Sequence, residues 1–109
     1  MMDWYEVNYL YPHAMGRFSS VMFPNTGIPS LTLLEFYDIK KLYSFFDKQG
    51  IYMTVEMIHK TAWAFTITTD DGKTCAVCSG TKSMREDIEV EGFNECFAIL
   101  EKKIRNVYI

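Results

Sequence analysis

Cys75-Ala76-Val77-Cys78, with Gly80 close behind, has the spacing of a knuckle that presents two thiolates to a zinc ion. One knuckle supplies half of a tetrahedral site, and Cys96 with His59 or His13 would have to complete it at spacings that no common zinc module uses. In a regular strand, moreover, residues three apart point to opposite faces, which separates the sulfurs. A thioredoxin-type redox pair wants its first cysteine at a helix N-terminus, and the next helix start, at Ser83, lies well downstream. The expectation is buried, inert thiols with no metal and no cofactor.

Gly80-Thr81-Lys82-Ser83 joins a strand to a helix start, where backbone amides and a lysine can hold an anion. It is not a Walker loop, because the first glycine is missing and Thr81 interrupts the Gly-Lys pair. Thr81, Lys82, Ser83 and Arg85 therefore form a weak candidate anion site, with Glu86, Asp87 and Glu89 crowding the arginine. For catalysis the chain offers His13, His59, Asp70 and Asp71, and none forms a nucleophile, base and orienter set at a recognisable spacing. The residues thus read as those of a non-enzyme without catalytic groups. A deep pocket holding His59 or His13 beside a carboxylate would reverse that reading.

The elements that must carry these residues fit one domain, 1–109, because 109 residues bury enough surface to hold a core without staples. A net charge of −3 and a pI near 5.3 argue against a protein whose main task is gripping phosphate backbone. Aromatics at 16% are abundant for so short a chain, which points some of them to an interface. The odd cysteine count, with no apolar leader and no long uncharged stretch, predicts a cytoplasmic protein that does not cross or touch a membrane.

Asp3 to Tyr11 reads as a strand with Tyr5, Val7, Tyr9 and Tyr11 on one side. Pro12 then opens a short helix through Ala14, Phe18, Val21 and Met22, and the prolines of 23–29 enforce a loop. Thr32 to Glu35 matches a capping box with Leu31 and Phe36 as its hydrophobic staple, predicting a helix from Thr32 to a left-handed stop at Gly50. Ile51 to Met57 and Trp63 to Thr68 alternate as antiparallel strands. Asp70-Asp71-Gly72-Lys73 is a hairpin turn, and Thr74 to Ser79 is a weaker third strand. A second capping box, Ser83 to Glu86, opens a helix that buries Phe93, Cys96, Phe97, Leu100 and Ile104. Its early acids and its late Lys102, Lys103 and Arg105 complement the macrodipole.

The predicted architecture is α+β: an antiparallel sheet of three or four strands with the helices at Thr32 and Ser83 on one face. Residues 1–31 form an N-terminal strand and loop extension to an α-β-β-β-α core over 32–106. Phe46, Val55, Phe65, Phe93, Phe97 and Leu100 suffice to fill that core.

The helix, three strands, helix order from Thr32 to Ile104 resembles the double-stranded-RNA-binding domain in topology. That family reads phosphates with a lysine cluster at the start of its second helix, whereas this chain has Lys82 and Arg85 followed by Glu86, Asp87, Glu89 and Glu91. The wording of the sequence, in WYEVNYLYP, MFPNTGIPS, YDIKKLYSFFDKQGIYMTVEM and REDIEVEGFNECFAILEKKI, resembles small uncharacterised proteins of tailed phages and prophages of gut anaerobic bacteria. That likeness implies the cytoplasm of a bacterial host as the setting and no assigned activity. The expected function is that of a non-enzymatic accessory protein acting by protein–protein interaction, on a host or phage protein or on itself as a homodimer. The candidate interface is Trp4, Tyr5, Tyr9, Tyr11, Met22 and Phe23. Nucleic-acid binding is the alternative, and Lys40, Lys41, Lys48, Lys60, Lys82 and Arg85 discriminate: one shared face favours nucleic acid, scatter favours protein.

Overall fold

The computed structural model describes the backbone of residues 2–24, 31–60, 62–82 and 84–107, and the side chains of all of these except 33, 75–82 and 107. The fold is α+β. Helices α1 (Trp4–Leu10), α2 (Pro12–Met22) and α3 (Lys41–Lys48) precede strands β1 (Ile51–His59), β2 (Ala62–Thr69) and β3 (Thr74–Lys82), and α4 (Arg85–Val107) follows them.

The N-terminal segment is helical, which corrects the expected strand. Asp3 caps it by accepting from the Glu6 amide at 3.1 Å, and Trp4 and Val7, three residues apart, are its buried pair. Asp3 and Glu6 have the spacing of a capping box, and burial of Trp4 outweighs the preference of aromatic residues for strands. Pro12 opens α2 at its first turn, as its lack of an amide hydrogen allows, and Ala14, Met15 and Phe18 turn inward.

The helix expected at Thr32 is also corrected. Thr32 sits in helical backbone (φ −64°, ψ −38°) without a side-chain cap, and its hydroxyl bonds the Tyr5 hydroxyl at 3.1 Å. Only a 3-10 turn, Leu33–Phe36, forms before the chain extends at Tyr37, leaving Phe36 86% exposed instead of stapled. The extension places the Tyr37 ring edge-on to Phe18 at 5.5 Å and to Trp4 at 6.0 Å. The helix proper, α3, starts only after Asp38, whose carboxylate accepts from the Lys40 amide, and it ends at Gly50 with φ +75°. Ser83, which heads the second expected capping box, lies outside the described residues; α4 begins at Arg85.

α4 runs through the middle of the molecule for 23 residues. It packs on β1 and β2 on one side and on α1 and α2 on the other, so helices cover the sheet in two layers instead of one. Gly92 permits the close approach to the sheet, because a Cβ there would run into Met53 Sδ and Phe65. Phe18 is the centre of an aromatic cluster, stacked on Trp4 at 5.4 Å and edge-on to Phe45 at 5.3 Å and Phe97 at 6.0 Å. Of the core residues read from the sequence, Phe46, Phe65, Phe93, Phe97 and Leu100 are buried and Val55 is half-buried. Glu89, read as a macrodipole partner, is instead buried and accepts from the Tyr43 hydroxyl at 2.7 Å. Burial, and then that bond, hold the Tyr43 hydroxyl firmly protonated.

β1 and β2 are antiparallel, with Ile51, Met53 and Val55 opposite Thr69, Ile67 and Phe65 on the helix side and Tyr52, Thr54 and Glu56 opposite Thr68, Thr66 and Ala64 on the other. β3 lies on the far side of β2, with Phe65 opposite Cys78. The turn between them is the one expected at Asp70 to Lys73: Gly72 has φ +83°, and Asp71 accepts from the Lys73 amide at 3.0 Å and from the Thr69 hydroxyl. The Thr69 bond first, and the Lys73 amide second, hold the Asp71 carboxyl below its usual range.

Candidate functional site

Because Pro12 begins α2 and Tyr11 offers no side-chain cap, the amides of His13 and Ala14 need an acceptor from elsewhere. α4 supplies it. Glu101 Oε1 accepts from the His13 amide at 2.7 Å and the Ala14 amide at 3.0 Å, and Oε2 accepts from His13 Nδ1 at 2.7 Å. The carboxylate side chain is only 5% exposed, and Arg105, one turn along α4, stands 3.9 Å from it. Burial by itself would raise the Glu101 carboxyl. The Ala14 amide and the His13 ring and amide outweigh it, and the group is held below the usual glutamate range. An ionised carboxylate can only accept, so the His13 proton belongs on Nδ1, which leaves Nε2 as the second polar atom of a ring that is 55% exposed.

His13 of this clasp lines a groove of about 1040 Å³ between α2 and the last turns of α4. His13, Gly16, Arg17 and Ser20 recur at helical spacing along the α2 side, and Lys102, Ile104, Arg105 and Asn106 line the α4 side. Ile104 gives it an apolar floor, Arg17, Lys102 and Arg105 ring it with cationic groups, and His13 adds a polar ring. The groove is open along one side and is not a deep cleft. Arg17 is steadied by donating to Gln49 Oε1 at 3.2 Å, and the Ser20 hydroxyl donates to the Arg17 carbonyl at 3.1 Å. An open groove lined by Arg17, Lys102 and Arg105 can hold an anionic chain segment, and its one described hydroxyl is already turned to the helix backbone.

The residues singled out in the sequence are placed differently. Of the candidate interface, Trp4 is in the core at 2% exposure, and Tyr11, Met22 and Phe23 are half-buried against it. Tyr5 and Tyr9 do stand out from one face of α1, at 57% and 84% exposure. Helix formation is the reason, since it turns Trp4 and Val7 inward together. Within the candidate anion site, the Thr81 and Lys82 side chains and all of Ser83 lie outside the described residues. Arg85 lies over the Trp63 ring at 5.4 Å, a cation–π contact that already engages its guanidinium. The Cys75 and Cys78 side chains are likewise outside the described residues. Cys96 is fully buried, and burial first and Glu95 second push its thiol up, away from the reactive thiolate. Among the described residues there is no group of three or more side chains able to hold a metal ion, and no helix is long and apolar enough to cross a membrane. His59 is exposed at the end of β1. Lys40, Lys41, Lys48, Lys60 and Arg85 are distributed over both ends of α3, the β1–β2 connection and the head of α4.

Arg17, Glu101, Lys102 and Arg105 escape sequence reasoning as site residues, because His13 and Glu101 are 88 positions apart and no local pattern joins them. The only available signal was Pro12 starting a helix without a capping side chain before it. No protein family matches this chain, and no curated protein or solved structure matches it.

Proposed function

We propose that the protein is a non-enzymatic binding module that acts by protein–protein contact, and that the groove between α2 and α4 receives an acidic segment of its partner. The observation that carries this reading is the gathering of His13, Arg17, Lys102 and Arg105 around the apolar side chain of Ile104, in a chain whose net charge is −3. Opposite charge steers such an encounter, and the apolar floor adds contact that phosphate backbone would not use. The open shape favours a chain segment over a small molecule, which a pocket usually encloses on most sides. A phage setting, which the wording of the sequence resembles, would make the partner a host or a virion protein.

Fluorescence anisotropy with a labelled peptide rich in aspartate, glutamate and leucine tests the proposal, with a duplex RNA and a single-stranded DNA as parallel probes. Saturable peptide binding that weakens with salt, and falls at least tenfold in the Arg17→Glu, Arg105→Glu double variant, is the expected result. Tighter binding of either oligonucleotide at physiological salt, with a steep salt slope, would replace the protein partner by nucleic acid. Failure of all three probes to bind would overturn the groove as a site.

A further inference from the structure

In the strand order β1-β2-β3, β1 is an edge. Its inner backbone groups pair with β2, and its outer row has no protein partner among the described residues. Natural edges are blunted by prolines, by charges, by bulges, by a covering helix or loop, or by being short. β1 has nine residues, no proline and one acid, Glu56, and it exposes Tyr52, Met57 and Ile58 at 43%, 56% and 50%. Its one interruption is an irregularity in the pairing with β2 between Met57 and His59, at the end of the strand.

We infer that β1 pairs antiparallel with β1 of a second copy of this chain, about a two-fold axis at Val55. Val55 is the midpoint of Ile51–His59, so this register spans the whole strand, with the irregular step between Met57 and His59 falling at each end of the paired region. It sets Tyr52 against Ile58 of the second copy and Met53 against Met57, each pair occurring twice by symmetry, so that the exposed apolar side chains of both faces gain cross-strand neighbours. It also sets Glu56 against Thr54. A two-fold axis one residue later, at Glu56, would bring that acid against its own copy, and one residue earlier, at Thr54, would carry Ile58 past the strand to Gly50. Charge and apolar pattern thus select the register that length selects. The result is a continuous sheet across two copies, on a surface separate from the α2–α4 groove.

Thr54 is exposed, so its replacement leaves the core untouched. Sedimentation velocity across a concentration series should find the wild type dimeric. Thr54→Glu, which places two acids opposite each other twice, should weaken the dimer by roughly tenfold or more, and Thr54→Lys, which faces Glu56, should hold it at least as tightly as wild type. Circular dichroism confirms that each variant is folded. Hydrogen exchange on the wild type gives an independent readout: amides within residues 53–57 should slow as concentration rises. A wild type that stays monomeric at several hundred micromolar overturns the inference and leaves the edge to a strand of another protein. A dimer that Thr54→Glu leaves intact overturns it as well.

Discussion

Replacing Glu101 by alanine should destabilise the protein by about 2–3 kcal/mol, of which the helix-capping part alone accounts for ~1 kcal/mol. The rest comes from losing hydrogen bonds to a charged acceptor, each worth about 1.5–3 kcal/mol, offset by relief from keeping a carboxylate in a site that is 5% exposed. The amides of His13 and Ala14 would be left without their acceptor, and Ala14 is fully buried, so water cannot readily replace it. For a domain of this size each kcal/mol moves the melting temperature by roughly 4 °C or more, so a drop of about 10 °C is expected in a calorimetric scan at neutral pH. Glu101→Gln keeps an oxygen for the two amides but gives up the charge and reverses the His13 contact, its amide nitrogen donating to Nδ1, and should cost about 1 kcal/mol. The sign of the pH dependence follows from the direction of the shift. The folded carboxyl holds its proton less readily than the unfolded one, so this stabilisation is complete above the ordinary glutamate pKa and fades as pH falls through the lower folded value. The gap between wild type and Glu101→Gln should therefore narrow below about pH 4. An alanine variant melting within about 2 °C of wild type, a shift worth under ~0.5 kcal/mol, would refute the clasp as a stabilising contact.

Three further substitutions probe the frame. Phe18→Ala should cost about 3–5 kcal/mol in urea unfolding, because it empties the centre of the aromatic cluster, and a loss under ~1 kcal/mol would mean that the cluster collapses around the gap. Gly50→Ala should destabilise by about 1–2 kcal/mol, more than Gly72→Ala, since both have positive φ but only at Gly50 would a Cβ meet Asp70 Oδ2, at 2.7 Å. Equal losses at the two glycines in thermal melts would show that Asp70 moves aside freely.

Where a segment's neighbours in sequence are also its neighbours in space, its structure was legible. The β1–β2 alternation, the Asp70 to Lys73 turn and the buried stripe of α4 from Phe93 to Ile104 are of this kind. The N-terminal segment is ambiguous in sequence because Trp4 and Val7 satisfy a helical spacing while their aromatic neighbours satisfy a strand alternation, and only the distant Phe18, Tyr37 and Phe97 decide between them. Thr32 failed as a cap for a similar reason: Tyr5 engages its hydroxyl, and the core draws Tyr37 out of helical register. The groove was invisible because Lys102 and Arg105 have a sufficient local explanation in the helix dipole, and nothing local links them to His13 and Arg17.

The clasp between α2 and α4 has a consequence for the order in which the chain can fold. α1 and α2, of seven and eleven residues, are too short to persist alone in water, and the acceptor that completes the start of α2 is synthesised 88 residues after His13. The inner face of the sheet waits for the same helix, through Gly92, Phe93 and Phe97. Both layers therefore remain unfinished on the ribosome until α4 emerges, and closure over so long a loop carries an entropic cost that slows folding. Until that moment the β1 edge and the aromatic side chains of the first helices are exposed together, which makes the nascent chain, more than the finished protein, the form most prone to aggregate.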